Sequence, residues 1–223
     1  MIDSNIMDEN EAKNILQEYG IDRPEHIVLE NDKVDRIDVQ DIVERRLDYP
    51  LVAKIIGGDV THKTELKAVQ IGINSYEELL ATIEDLQYRF PEKDILVENY
   101  VPHDIEFILG AKRDETFNEV IMFGGGGMFA ELYEDVVFRK PPVGDEDISD
   151  MINSTKIGEV LDGYRGIDIE RSAVEKAIKN LSDFVVDKGD MIQEVDINPL
   201  VCKGGRTYAL DAVINLSKKE IHS

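Results

Sequence analysis

The sequence has one cysteine, Cys202, among 223 residues. An internal disulfide is therefore excluded, and the chain must rely on an apolar core in a reducing compartment, which points to the cytoplasm. It also lacks any run of about 18 apolar residues, so no helix is expected to span a membrane. The first residues, Met1 to Asn10, are acidic and polar, without the basic start and apolar stretch of a secretory leader. Basic residues are scarce relative to acidic ones: 25 Lys and Arg stand against 47 Asp and Glu, a formal charge of −22. A chain with that field repels nucleic acid and anionic lipid, because it has no net basic surface to displace counterions. Any phosphate it handles must meet locally placed lysine, arginine, histidine or backbone N–H groups.

Several signatures are absent as well. No HExxH or cysteine-rich spacing offers a zinc site, and no GxSxG elbow offers a serine nucleophile. The one glycine run lacks the Gly-Lys-Ser/Thr ending of a P-loop and the spacing of a dinucleotide fingerprint.

What is present is an alternation of strands and helices. Residues 8–19 read as a helix with Ile15 and Leu16 on its apolar side and Gly20 as its stop. Val39, Ile42, Val43 and Leu47 recur at helical spacing, and Tyr49-Pro50 launches an apolar strand at 51–56. A polar loop runs to about Lys67, followed by a strand at 68–73. Ser75 and Glu78 have the spacing of a capping box before Leu79, Leu80, Ile83 and Leu86. Strands are expected at 94–100, 105–112 and 119–124, a helix at 170–186, and a terminal hairpin at 191–197 and 206–214. A boundary near residue 95 divides this into an α/β lobe, 1–95, and a sheet-rich lobe, 96–223. A ligand is expected at such a lobe junction.

Candidate chemistry lies in five places. Lys54 interrupts the apolar strand VAKII; it either snorkels to water or neutralises a phosphate from a rigid strand. Glu98 and Glu106 interrupt apolar strands, where an unpaired carboxylate is costly. They are either surface residues or acceptors for a nucleotide's amino group and ribose. Gly124, Gly125, Gly126 and Gly127 follow a strand and permit close backbone approach to phosphate; the alternative is a surface loop. Glu194, Asp196 and Asn198 alternate on one strand, and Asp211 can stand across from them. Such oxygen donors suit Mg²⁺ with water and phosphate oxygens, unless they form only a polar sheet face. His62 sits beside Lys63 in a polar loop, either solvated or serving as a phosphate acceptor.

Together the segments YPLVAKII, DVTHKTEL, VENYV, MFGGGGMFAELYEDVVFR, LDGYRG and EVDINPLV resemble, in order and spacing, the β subunit of ADP-forming acetate–CoA ligases. The resemblance implies an ATP-grasp fold of two α+β lobes that clamp nucleotide. It implies that Lys54 contacts phosphate, Glu98 and Glu106 line the nucleotide pocket, and Asn198 and Asp211 hold Mg²⁺. His62 then relays phosphate to ADP, while Gly124 to Gly127 and Arg139 lie near the phosphate path; Arg165 is singled out without an assigned place. The implied reaction interconverts acyl-CoA, ADP and phosphate with carboxylate, CoA and ATP. It needs a CoA-binding α subunit with its own phosphohistidine, hence a hetero-oligomer. Succinyl-CoA or other acyl-CoA ligases, and a degenerate nucleotide-binding regulator, are the alternatives. One departure stands out: where the family pattern has a glycine pair after the histidine loop, this sequence has Lys67-Ala68.

Overall fold

A computed structural model of the chain describes residues 6–31, 36–57, 66–127, 135–163 and 169–217, with the side chains of 36–38 left aside. His62 and Arg165 lie outside the described residues. Two compact units emerge, and they do not divide at residue 95. Pro24–Val101 with Asp8–Asn10 form one, and Glu11–Arg23 with the chain from Pro102 onward form the other. The expected boundary was early because strand 94–99 belongs to the first unit's sheet. The first helix was misplaced because its apolar face, Ala12 and Leu16, is buried with Phe107, Leu109 and Phe123 of the larger unit.

The smaller unit is built on an antiparallel sheet. Its strands are β1 (His26–Leu29), β2 (Leu51–Ile56), β3 (Val69–Ile73) and β4 (Asp94–Asn99), in the order β1-β4-β2-β3. Helices α2 (Arg36–Arg46) and α3 (Tyr76–Arg89) contribute to its core; α1 (Glu9–Glu18) precedes them. Leu79, Ile83 and Leu86 fall on one stripe of α3 and pack with Leu51, Ala53, Ile55, Ile95 and Val97, the residues of one face of β2 and β4. The N-terminus of α3 differs slightly from a capping box: Ser75 Oγ accepts from the Glu78 amide at 3.2 Å, but the Glu78 carboxylate accepts from the amide of Asn74.

The larger unit holds strands β5 (Glu106–Asp114), β6 (Asn118–Gly125), β7 (Val136–Arg139), β8 (Ile192–Lys203), β9 (Arg206–Ala209) and β10 (Ala212–Leu216). Their order is β10-β8-β5-β6-β7, with β9 also paired to β8. Helices α4 (Asp145–Asn153), α5 (Lys156–Leu161) and α6 (Arg171–Lys188) complete it. Val174, Ala177, Ile178, Leu181 and Val185 of α6 are buried, as their spacing predicts. Strands β1 and β7 and helices α4 and α5 have no counterpart in the sequence reading. The strands have only four residues each, and the two helices are short, so little periodicity accumulates. Among the described residues no helix is long and apolar enough to cross a membrane.

Candidate nucleotide and metal site

Lys54 does not snorkel. It occupies the central part of β2, a strand buried on both faces, and its side chain is only 5% exposed. Antiparallel pairing sets Val52 opposite Glu98 and Lys54 opposite Leu96, so Lys54 and Glu98 are diagonal neighbours on the face turned away from the α2 and α3 core. Lys54 Nζ lies 2.7 Å from Glu98 Oε1 and 2.6 Å from Glu9 Oε1. His26 stands opposite Glu98 from β1, on the same face, and its Nε2 is 2.7 Å from Asn10 Oδ1. The smaller unit thus carries a buried polar patch of Glu9, His26, Lys54 and Glu98, with Asn10 half-buried beside it. A buried ammonium is tolerable only with such partners. Glu9 and His26 were missed from the sequence, since a glutamate at a helix start and a histidine at a strand start carry no signal of their own.

In the larger unit Glu106 opens β5, and His103 Nε2 lies 3.3 Å from its Oε1. The glycine run does not begin as a loop: Gly124 and Gly125 are the last residues of β6, paired to Ile108 and Phe107. A Cβ at Gly124 would overlap the carbonyl oxygen of Asp135, and one at Gly126 would come within 3.0 Å of the Glu106 backbone. The Gly126 amide donates to the Glu106 carbonyl at 2.7 Å. Gly127 has φ +54, and its missing side chain leaves room for the Glu106 carboxylate. These glycines therefore let neighbouring backbone and Glu106 close up on β6. Arg139 ends β7, half-buried, and its Nη1 donates to the Phe138 carbonyl.

Asp135, which the sequence reading passed over, ties this region together. Its carbonyl accepts from the Gly125 amide at 3.2 Å. Its buried carboxylate accepts from the amides of Lys156 and Ile157 at 2.8 and 2.9 Å, capping the N-terminus of α5.

The terminal hairpin is not one continuous ladder. β8 is twelve residues long, but its partner is split into β9 and β10 at Leu210-Asp211. Pro199 has no amide hydrogen to donate, and the chains meet there through Leu210 N to Pro199 O at 2.9 Å and Asn198 N to Asp211 O at 3.2 Å. This break sets Asn198 beside Asp211. Glu194, Asp196 and Asn198 are exposed between the buried Val195 and Ile197, so they do share a face. Gly110 stands opposite Asp196 and offers it no side chain, while Lys112 stands opposite Glu194.

Asp196 presents much of its surface to solvent, yet the protein around its carboxyl displaces enough water to push its pKa up to about 6. The charges of Asp211 and then Glu194 act in the same direction. A carboxyl so placed among other oxygen donors fits a divalent cation. Among the described residues no three His, Cys, Asp or Glu side chains converge to hold a metal by themselves. The donor set therefore suits a cation that keeps water or phosphate oxygens as its other ligands, which is the habit of Mg²⁺.

A model of the ATP-grasp domain matches residues 3–216. The chain belongs to the ATP-grasp family. This ATP-grasp chain is 33% identical to the β subunit of acetate–CoA ligase (ADP-forming) I of Pyrococcus furiosus, over 92% of this chain and 89% of that protein. To the β subunit of the second such ligase of that organism it is also 33% identical, over 94% of this chain and 91% of the other. Among solved structures it resembles a dinucleotide-forming acetyl-coenzyme A synthetase of Candidatus Korarchaeum cryptofilum in complex with coenzyme A, Ca-AMPCP and HgCl⁺. The TM-score is 0.82 at 29% identity, covering 95% of this chain and 93% of that one. A second structure of that enzyme, with coenzyme A and Mg-AMPPCP, is described with a phosphohistidine segment pointing towards the nucleotide-binding site; its TM-score is 0.78 at 30% identity, over 94% and 92%.

Proposed function

We infer that the chain is the nucleotide-binding subunit of an ADP-forming acyl-CoA synthetase, an acid–thiol ligase that passes phosphate between a phosphohistidine and ADP. The observation that carries this reading is the Asn198–Asp211 pairing at the break in the hairpin, beside the acidic side chains of Asp196 and Glu194 on the same strand face. Asn198 and Asp211 would hold Mg²⁺, which when bound neutralises phosphate oxygens of ADP or ATP. Lys54 contacts phosphate, and Glu98 and Glu106 accept hydrogen bonds from the adenine amino group and the ribose. Gly124 to Gly127 and Arg139 border the phosphate path.

The transfer itself belongs to His62. Its neutral ring nitrogen takes the phosphoryl group from the partner's phosphohistidine; a β-phosphate oxygen of ADP then attacks phosphorus. The N–P bond breaks as the O–P bond forms, leaving ATP and neutral His62. The CoA chemistry is supplied by a separate α subunit, so the working enzyme is a hetero-oligomer in the cytoplasm. The P. furiosus relatives are named as β subunits, whereas a relative from Archaeoglobus fulgidus, 27% identical, is matched over only 30% of its length. The same nucleotide module thus serves as a separate subunit or as part of a longer chain. Relatives are named for acetate and 4-hydroxybutyrate, and the choice of acid is assigned here to the partner.

The degenerate-regulator reading rested on Lys67-Ala68. Lys67 has a left-handed backbone, φ +51, a conformation that a glycine also adopts readily. The test is turnover. The chain alone should form no ATP from acyl-CoA, ADP and phosphate; supplied with a CoA-binding α subunit it should. His62→Asn should abolish that ATP formation while leaving Mg–ADP binding near wild type. Wild-type turnover by His62→Asn refutes the relay.

A further inference from the structure

We propose that Glu9 is a positioning residue for Lys54, fixing the direction in which the ammonium meets nucleotide phosphate. The proposal rests on the nucleotide reading of Lys54 given above. Its first support is geometry: Glu9 Oε1 is 2.6 Å from Nζ, and the two side chains are 2% and 5% exposed. Its second is that the segment is pinned independently, because Asn10, the next residue, is joined to His26 at 2.7 Å. Its third is that Glu98, the other carboxylate on Nζ, is the residue assigned to the adenine side of the pocket.

A lysine ammonium has three N–H donors on a flexible four-carbon stem. The carboxylates of Glu9 and Glu98, both within 2.7 Å of Nζ, hold the ammonium between them and remove the rotamer freedom that a lone lysine would surrender only on binding. That loss is among the largest of any side chain. Prepaying it in the folded chain is a form of preorganisation. Glu98 alone cannot do this while it also accepts from adenine. A second carboxylate that makes no contact with nucleotide leaves Lys54 anchored when Glu98 turns to its ligand. It also balances the ammonium inside a region closed to water, where an unpartnered charge is costly.

The test measures Mg–ADP affinity by titration calorimetry on the full chain. Glu9→Gln keeps shape and removes charge; it should weaken binding about tenfold, the loss of one charge-assisted contact. Glu9→Asp keeps charge on a shorter arm and should lose about threefold; it serves if Glu9→Gln does not fold. Lys54→Met should lose tenfold or more, and adding Glu9→Gln to it should change affinity less than about twofold, because the two act as a unit. Wild-type affinity in both Glu9 variants, or a full tenfold loss in the Lys54→Met background, overturns the proposal. Wild-type affinity in Lys54→Met overturns the nucleotide reading of Lys54 and this inference with it, a different pattern from a failure confined to Glu9.

Discussion

The guanidinium of Arg89 donates to the carbonyl oxygen of Lys67 at 2.9 Å, clasping a residue whose backbone is left-handed, φ +51. Arg89 Nη1 also donates to the Leu66 carbonyl, and Asp85 holds its Nε at 2.9 Å. The end of α3 thereby fixes the backbone just before β3. Here the family pattern has a glycine pair, and an L-residue in this conformation costs about 1 kcal/mol.

The first prediction concerns that strain. Lys67→Gly removes the steric cost but adds chain entropy to the unfolded state, so stability should stay within about 0.5 kcal/mol of wild type or rise. Lys67→Val puts a β-branched side chain at positive φ and should lose about 1–2 kcal/mol. Urea unfolding of both variants checks this. Equal stability of the two would mean that the positive φ is not held in solution.

Asp135 is predicted to matter for stability through α5. Asp135→Ala leaves the amides of Lys156 and Ile157 without their acceptor and should cost about 2 kcal/mol, with Asp135→Asn costing roughly half, since one amide oxygen remains. Thermal unfolding reads the difference. An unchanged midpoint in Asp135→Ala would show that solvent caps the helix equally well.

For the glycine run, position should outweigh residue type. Gly124→Ala drives a methyl into the Asp135 carbonyl, backbone that cannot step aside, and should cost on the order of 3 kcal/mol. Gly144→Ala, at the start of α4 with φ −92 and open surroundings, should cost no more than about 0.5 kcal/mol. Comparable losses at the two sites in chemical denaturation would refute close packing on β6.

The metal prediction is made on binding. Asp211→Asn removes charge but keeps shape, so Mg²⁺-dependent ADP affinity should fall by about tenfold or more. ADP binding measured in chelator should barely move. A Mg²⁺ dependence identical to wild type would make Asp211 a structural residue of the hairpin break.

Several features were legible in the sequence because they are local. Helix α6 announced itself by apolar spacing over eighteen residues, α3 by Ser75 and its stripe, and β2 by an apolar run after Pro50. The alternation of Glu194, Asp196 and Asn198 on one face follows from the two-residue period of a strand, whatever the sheet does with it. Other features were decided only in three dimensions. The unit boundary moved because β4 pairs with β1 and β2, and pairing is not written in a strand's own composition. Lys54 reads equally as a surface or a buried lysine until the sheet order places β2 between β4 and β3 and brings Glu98 diagonally to its side. Glu9, 45 positions before Lys54 in the chain, reaches it because segment 8–10 lies on that sheet's polar face. The charge on a buried group is settled by neighbours distant in sequence, so residue types along the chain named the candidates, and long-range pairing decided which of them could act together.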